Sequence, residues 1–133
     1  MTRLFLAAVI GLATALPAAA QFRNAEAAIK YRQSVMQVQN FHLGRIFAMA
    51  NGRMPFDAAV AAQDAMILET IDKLPFVAFI DGSDKGDTKA RPEVWKERAK
   101  FDAAALKMQQ DVAKLNAAAR TGNLDAIKAA AGA

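Results

Sequence analysis

The sequence predicts an all-α protein, and three observations support that prediction. The 133-residue chain is rich in alanine, which has the highest helix propensity and little preference for strands. Apolar residues recur at spacings of three and four along several stretches, which is the period of an amphipathic helix. Asparagine, glycine and proline fall between these stretches and predict the turns that separate helices. With 54% hydrophobic and 23% charged residues, the composition fits one small domain.

Residues 1–20 are typical of a secretory signal peptide. "MTR" gives a positively charged start, "LFLAAVIGLATAL" an apolar run, and "PAAA" a small-residue end with an A-x-A cleavage site at Ala18–Ala20. A membrane-spanning helix needs about 20 apolar residues, so a retained anchor is the weaker interpretation. We expect residues 21–133 to form the exported domain, free of the membrane after cleavage. The chain has no cysteine, so no disulfide stabilises that domain.

The first helix is predicted from Asn24, a favourable N-cap residue, to the turn at Asn51–Gly52. Gly44 lowers the helix propensity inside it and predicts a close approach by another helix. Arg32 lies on the apolar stripe of this helix, where a core residue is expected. Either the arginine is buried and paired with an acid, or it is exposed with its stem on apolar surface.

The second helix is predicted from Ala58 to Lys73, with Asp57 as its N-cap and Pro75 ending it. Its apolar positions at helical spacing are Val60, Ala61, Met66, Ile67, Ile71 and Leu74. Residues 76–90 then form a long predicted loop that starts apolar and becomes polar. A loop of this length in a compact domain usually has a function.

The third helix is predicted to begin at Pro92 and to end at the Thr121–Gly122–Asn123 turn. A fourth helix, from Leu124 to Ala133, would span only about 15 Å, roughly half the length of the first and third. Three long amphipathic helices and one short helix do not close a core. We therefore expect the last helix to continue beyond this sequence, or the bundle to be completed by another chain.

Several segments resemble one known family in both order and spacing. They are "AAAQFRNAEAAIKYRQSV", "PFDAA", "LPFVAF", "ARPEVW" and "AAARTGNLDAIKAAAGA". Over essentially the whole mature chain they resemble cytochrome c′, the class II c-type cytochromes. The resemblance implies an antiparallel up-down-up-down four-helix bundle, a fold of which cytochrome c′ is itself a standard example, with the fourth helix incomplete here.

The resemblance also implies a function. Members of this family are periplasmic, are usually homodimers, and carry one covalent haem c. They exchange electrons with redox partner proteins or bind small gases such as nitric oxide and carbon monoxide. A haem-free periplasmic bundle that serves as a binding or interaction module is the alternative interpretation.

The resemblance assigns haem-pocket roles to six residues. Arg32 and Gln33 of "YRQ" are expected to lie against the haem and its propionates, where an acid would compensate a buried guanidinium. Met36 is expected over the open face of the iron, with core packing favoured and a sixth iron ligand as the alternative. The remaining three lie in the long loop: Phe79 as a residue packing on the haem ring, and Asp87 and Thr88 as polar residues that border it.

The sequence departs from the family at the attachment site. The family binds haem through C-x-x-C-H on its last helix, and that histidine is the proximal iron ligand. This chain contains no cysteine, and its one histidine, His42, is not at the proximal position and is expected on the helix surface. We expect the proximal histidine beyond Ala133, and we interpret the sequence as truncated before the motif. As written, the chain cannot attach haem by thioether chemistry, and none of its residues is assigned as a metal ligand.

Other functional classes find little support. The net charge of +4 comes without a dense basic run or a nucleic-acid-binding motif. "DGSDKGD" has the composition of a calcium loop but lacks the terminal glutamate. No Ser-His-Asp set, glycine-rich phosphate loop or pair of catalytic carboxylates stands out, so we do not expect an enzyme.

Overall fold

The computed structural model describes residues 21–132, and all regular structure in that range is helical. Its elements are α1 (Ala25–Ala50), α2 (Ala58–Ile71), a 3₁₀ helix (Leu74–Ala78), α3 (Glu93–Lys96), α4 (Arg98–Ala119) and α5 (Leu124–Ala131). The predicted all-α class is confirmed. The predicted signal peptide, residues 1–20, lies outside the described residues. Within residues 21–132, none of the helices combines the length and the apolar character that crossing a membrane requires.

Three helices begin at side-chain caps that satisfy a free backbone N–H group. The Asn24 side chain accepts from the Ala27 amide at 2.8 Å, and Asp57 accepts from the Val60 amide at 3.0 Å. Asn123 caps α5 in the same way, at 3.0 Å from the Ala126 amide. The predicted starts of the first two helices are therefore confirmed, and they follow from local sequence alone.

Four helices pack in chain order, α1 on α2, α2 on α4 and α4 on α5, and α5 closes on α1. This is the predicted four-helix bundle. Its core is a single cluster that draws residues from all four of these helices: Ile46, Met49, Ala61, Ala65, Leu68, Leu115, Ala119 and Ile127. Alanines at two of the α2 positions leave room for the neighbouring helices to approach closely. Met66, one of the apolar positions at helical spacing in the sequence, is 56% exposed, because Ala61, Ala65 and Leu68 form the buried face of α2.

The third helix differs from the prediction because it is divided in two. Glu97 separates α3 from α4 with φ −117° and ψ 47°, outside the helical region. Side chains on the two sides of this break donate to consecutive carbonyls of the preceding segment. Trp95 Nε1 lies 3.1 Å from the Ile80 carbonyl, and Arg98 Nη1 lies 2.9 Å from the Phe79 carbonyl. These tertiary hydrogen bonds hold α3 against the Phe79 and Ile80 carbonyls. Residues 76–78, predicted as the start of an irregular loop, belong to the 3₁₀ helix instead.

Two predictions for α1 are also wrong. A Cβ atom added at Gly44 would meet no atom within 4 Å, so this glycine does not mark a close helix approach. The His42 side chain is only 16% exposed, and its Nδ1 lies 2.7 Å from Oδ1 of Asp64 on α2. A buried carboxylate, which the sequence does not reveal, draws the ring inwards.

Asp64 is the centre of an ion cluster between α1 and α2. Its carboxylate is fully buried and accepts from Arg45 Nε at 2.6 Å and from Arg45 Nη2 at 2.5 Å. Burial alone would raise the pKa of Asp64, but the hydrogen bonds from Arg45 and His42 outweigh it and hold that pKa below its ordinary value. The cluster fastens the two helices together away from the predicted haem pocket.

Candidate functional site

A cavity of about 420 Å³ opens between α1, residues 78–90 and the start of α4, and we call it the Arg32 cavity. Its lining residues are Arg32, Gln33, Met36, Phe79, Asp87, Thr88, Lys89, Ala90, Val94 and Phe101. All six residues that the sequence analysis assigned to a haem pocket are among them. The structure thus brings the predicted residues together, while their contact with haem stays a prediction.

Arg32 is buried, with 2% of the residue exposed, so the alternative of an exposed arginine is wrong. Its Nη1 donates to the Ala78 carbonyl at 3.1 Å and to Ser83 Oγ at 2.7 Å. Its Nη2 donates to the Ser83 carbonyl at 2.7 Å and to Thr88 Oγ1 at 2.8 Å. The N–H groups of both terminal nitrogens are therefore used to hold residues 78–88 against α1.

The positive charge of Arg32 has no acidic partner within the described chain. All four of its acceptors are neutral oxygens, and burial lowers the pKa of Arg32 below its ordinary value. The guanidinium lies over the Phe79 ring at 4.5 Å and near the Trp95 ring at 5.6 Å. Cation–π contacts of this kind stabilise a desolvated cation by about 2 kcal/mol, less than burial of a charge costs. The cavity is consequently suited to a ligand that brings an anion.

One wall of the cavity is aromatic. The Phe79 ring packs on Phe101 with centroids 4.8 Å apart, on Trp95 at 5.9 Å and on Phe76 at 6.3 Å. Phe79 is 6% exposed, and its carbonyl is held by Arg98. Trp95 and Phe101 are half-buried members of this wall. Rings packed on several sides present a fixed apolar surface to a flat ligand.

The opposite edge of the cavity is polar. Gln33 Nε2 donates to the Asp87 carbonyl at 2.8 Å, so an α1 side chain holds the loop a second time. Asp87 is exposed at the rim, and Met36 lines the cavity with 38% of the residue exposed. Packing of Met36 on a haem stays a prediction, with ligation of the iron as the alternative.

Sequence reasoning missed Ser83, which accepts two of the four Arg32 hydrogen bonds. It is fully buried and also donates to the Ile80 carbonyl at 2.8 Å. In the sequence it stands in "DGSDKGD", where a serine beside glycines is typical of an exposed turn. No local signal distinguishes it from such a serine. Ser83 is distinguished only by its hydrogen bonds from Arg32 of α1.

The residues present fit the non-covalent part of a haem site. The aromatic wall would suit the apolar ring of a porphyrin, and a buried cation that has no carboxylate partner among residues 21–132 would suit its acidic side chains. The residues do not provide the covalent part, because the 133-residue chain has no cysteine. His42 does not provide the proximal ligand, since it is bonded to Asp64 and does not line the Arg32 cavity.

A second, apolar groove of about 360 Å³ lies between α1, α4 and the end of α5. It is lined by Leu43, Phe47, Ala104, Lys107, Met108, Asp111, Val112, Leu115, Ala130 and Ala131. Most of these residues are apolar side chains of α1, α4 and α5.

Comparison with known proteins agrees with this geometry. The sequence profile of the cytochrome c′ family matches residues 27–133. Cytochrome c′ of Rubrivivax gelatinosus is 49% identical over 113 residues, which is 84% of this chain and 88% of that protein. Cytochrome c′ of Alcaligenes xylosoxydans xylosoxydans is 40% identical over 112 residues, covering 84% and 87% of the two chains.

Solved structures show the same similarity. The Rubrivivax gelatinosus crystal structure superposes with a TM-score of 0.81, at 49% identity and with 84% and 88% of the two chains covered. The Shewanella frigidimarina protein gives 0.81 at 37% identity, covering 84% and 87%. A nitrosyl complex of a variant of the Alcaligenes xylosoxidans protein gives 0.77 at 40% identity, covering 84% and 86%. The chain therefore belongs to the cytochrome c′ family, whose members bind haem c.

Proposed function

We propose that this protein is a periplasmic haem protein that carries electrons or binds a small gas at the haem iron. One observation carries the proposal: a buried guanidinium that has no acidic partner in the described part of the chain lies beside an aromatic-walled cavity. When bound, haem supplies the redox-active and gas-binding iron. Arg32 and Gln33 would bind the acidic side chains of the porphyrin, and Phe79 and Phe101 would provide apolar surface that excludes water. Met36 would cover one face.

Gas binding has support from a relative, since the Alcaligenes xylosoxidans variant was solved as a nitrosyl complex. Electron transfer has support from the family, whose members are haem-binding electron-transfer or gas-binding proteins. The predicted signal peptide supports periplasmic location. We include redox partner proteins and a homodimer in the proposal. Phe41 and Val38, 63% and 46% exposed on one face of α1, offer the apolar surface that subunit contacts bury.

Titration of the purified chain with ferric protoporphyrin IX, followed by the Soret band, tests the proposal. We expect saturable non-covalent binding that Arg32→Gln weakens about tenfold, the value of one charge-assisted hydrogen bond. Arg53→Gln, at an exposed arginine in the turn after α1, is the matched control and should bind like the wild type. Absence of binding, or equal affinity in both variants, would refute the proposal and favour the haem-free interaction module.

Co-expression with haem-maturation enzymes tests the attachment prediction separately. We expect no covalently bound haem on a denaturing gel or in the intact mass, because the 133 residues contain no thiol. A haem-stained band at the mass of the chain plus haem would contradict it.

A further inference from the structure

Two hydroxyl groups accept hydrogen bonds from Arg32, and their surroundings differ. Ser83 is fully buried and is not among the residues that line the Arg32 cavity. Thr88 is half-buried and lines that cavity. One acceptor is thus shut away from any ligand, while the other lies where a ligand would enter.

Ser83 is held by more than its hydroxyl. Its Oγ accepts from Arg32 Nη1 at 2.7 Å and donates to the Ile80 carbonyl at 2.8 Å, while its own carbonyl accepts from Nη2 at 2.7 Å. Breaking this arrangement would leave a buried cation and buried oxygens without partners, and such groups carry the full cost of desolvation. Ser83 therefore ties Arg32 to residues 78–83, the segment that contains Phe79.

Thr88 is joined to Arg32 by a single hydrogen bond. Its Oγ1 accepts from Arg32 Nη2 at 2.8 Å and from the Ala90 amide at 3.1 Å. If another acceptor replaces the Thr88 hydroxyl at Nη2, the hydroxyl still accepts a hydrogen bond from the Ala90 amide and can also bond to water. A carboxylate is the stronger acceptor, because its negative charge attracts the guanidinium and a neutral hydroxyl has no such charge.

We propose that Ser83 is a positioning residue that fixes Arg32 and the Phe79 wall, and that Thr88 is an exchangeable acceptor. A carboxylate of a ligand in the cavity reaches Arg32 by displacing the Thr88 hydroxyl, and the Ser83 contacts persist. Arg32 thus fixes the wall before the ligand binds and still offers one N–H group to the acid. The identity of that acid, a haem propionate, rests on the proposed function; the role of Ser83 does not.

Hydrogen exchange of the chain without haem, followed by mass spectrometry, tests the Ser83 role. Ser83→Ala should speed exchange of the amides in residues 78–83 about tenfold, the equivalent of one lost hydrogen bond to a charged group. Thr88→Val should leave these rates within about twofold, because Ser83 still holds Arg32. The matched controls are Ser34→Ala and Thr70→Val, exposed residues whose hydroxyls bond only to their own helix. This role would be overturned if Ser83→Ala left the exchange rates of that segment unchanged. It would also be overturned if exchange in α2 and α4 became faster by the same factor.

Binding of ferric protoporphyrin IX and of its dimethyl ester tests the exchange at Thr88. Thr88→Val removes the competing acceptor, so the preference for the diacid over the ester should rise about fivefold relative to Thr70→Val. Ser83→Ala should lower that preference relative to Ser34→Ala, because Arg32 is no longer held in place. Equal preferences in Thr88→Val and Thr70→Val would overturn the exchange. If the wild type binds neither porphyrin, the proposed function and the exchange both fail, and hydrogen exchange still decides the role of Ser83.

Discussion

The ion cluster at Asp64 allows a quantitative prediction that does not depend on haem. The carboxylate accepts three hydrogen bonds, two from Arg45 and one from His42, and it is fully buried. Asp64→Asn can keep its oxygen at the Oδ1 position, which accepts from His42 and Arg45 Nη2, but it then places an NH₂ group against Arg45 Nε. It should therefore lose one of the three bonds and, in the other two, the negative charge of the acceptor; a hydrogen bond to a charged group is worth about 1.5–3 kcal/mol.

The loss of stability in Asp64→Asn is limited, because the Arg45 side chain is 31% exposed and can form hydrogen bonds with water instead. We expect the free energy of unfolding at pH 7 to fall by about 3 kcal/mol, measured by urea denaturation with circular dichroism. Asp102→Asn is the matched control, since Asp102 is 59% exposed and pairs with Arg98 one turn away on α4. This control should change stability by less than about 1 kcal/mol.

The stability difference between the wild type and Asp64→Asn should depend on pH in a direction set by the pKa of Asp64. The folded chain holds the pKa of Asp64 below its ordinary value, so the unfolded chain binds the proton first as pH falls. The stability difference between wild type and Asp64→Asn should be complete above about pH 4 and shrink as pH falls through the lower folded pKa. A difference below about 1 kcal/mol at pH 7, or one that persists unchanged in strong acid, would refute the account.

Further predictions concern the cavity and the core. Arg32→Lys should destabilise the chain by about 2–4 kcal/mol, because an ammonium cannot serve four acceptors in fork geometry; a urea midpoint equal to the wild type's would contradict this. Phe79→Ala removes the ring that packs on Phe101 and Trp95, so the unfolding free energy should fall by about 3–5 kcal/mol, while the exposed Phe41→Ala should change it by less than about 1 kcal/mol. Leu68→Ala in the core should cost about 2–5 kcal/mol by the same measurement, and a loss like that of Phe41→Ala would mean that the core is loosely packed.

The helices of this protein could be predicted closely, and its site only in part. Asn24 and Asp57 cap the helices that follow them, because a capping side chain needs only the amide three residues ahead. The division at Glu97 could not be predicted, since its cause is a pair of hydrogen bonds to carbonyls 15 and 19 residues earlier. The resemblance to cytochrome c′ supplied the six cavity residues, but it did not supply Ser83.

The sequence by itself determined that this chain is helical, where its first two helices start, and that a charged residue interrupts an apolar stripe on the first one. Those properties depend on neighbours within one or two turns. Only the tertiary structure decided that Arg32 is buried on neutral oxygens 46, 51 and 56 residues away, and that Asp64 draws His42 inwards. The physical reason is that a buried charge takes its partners from whichever segments packing brings within hydrogen-bond distance, and no local pattern of residues encodes them.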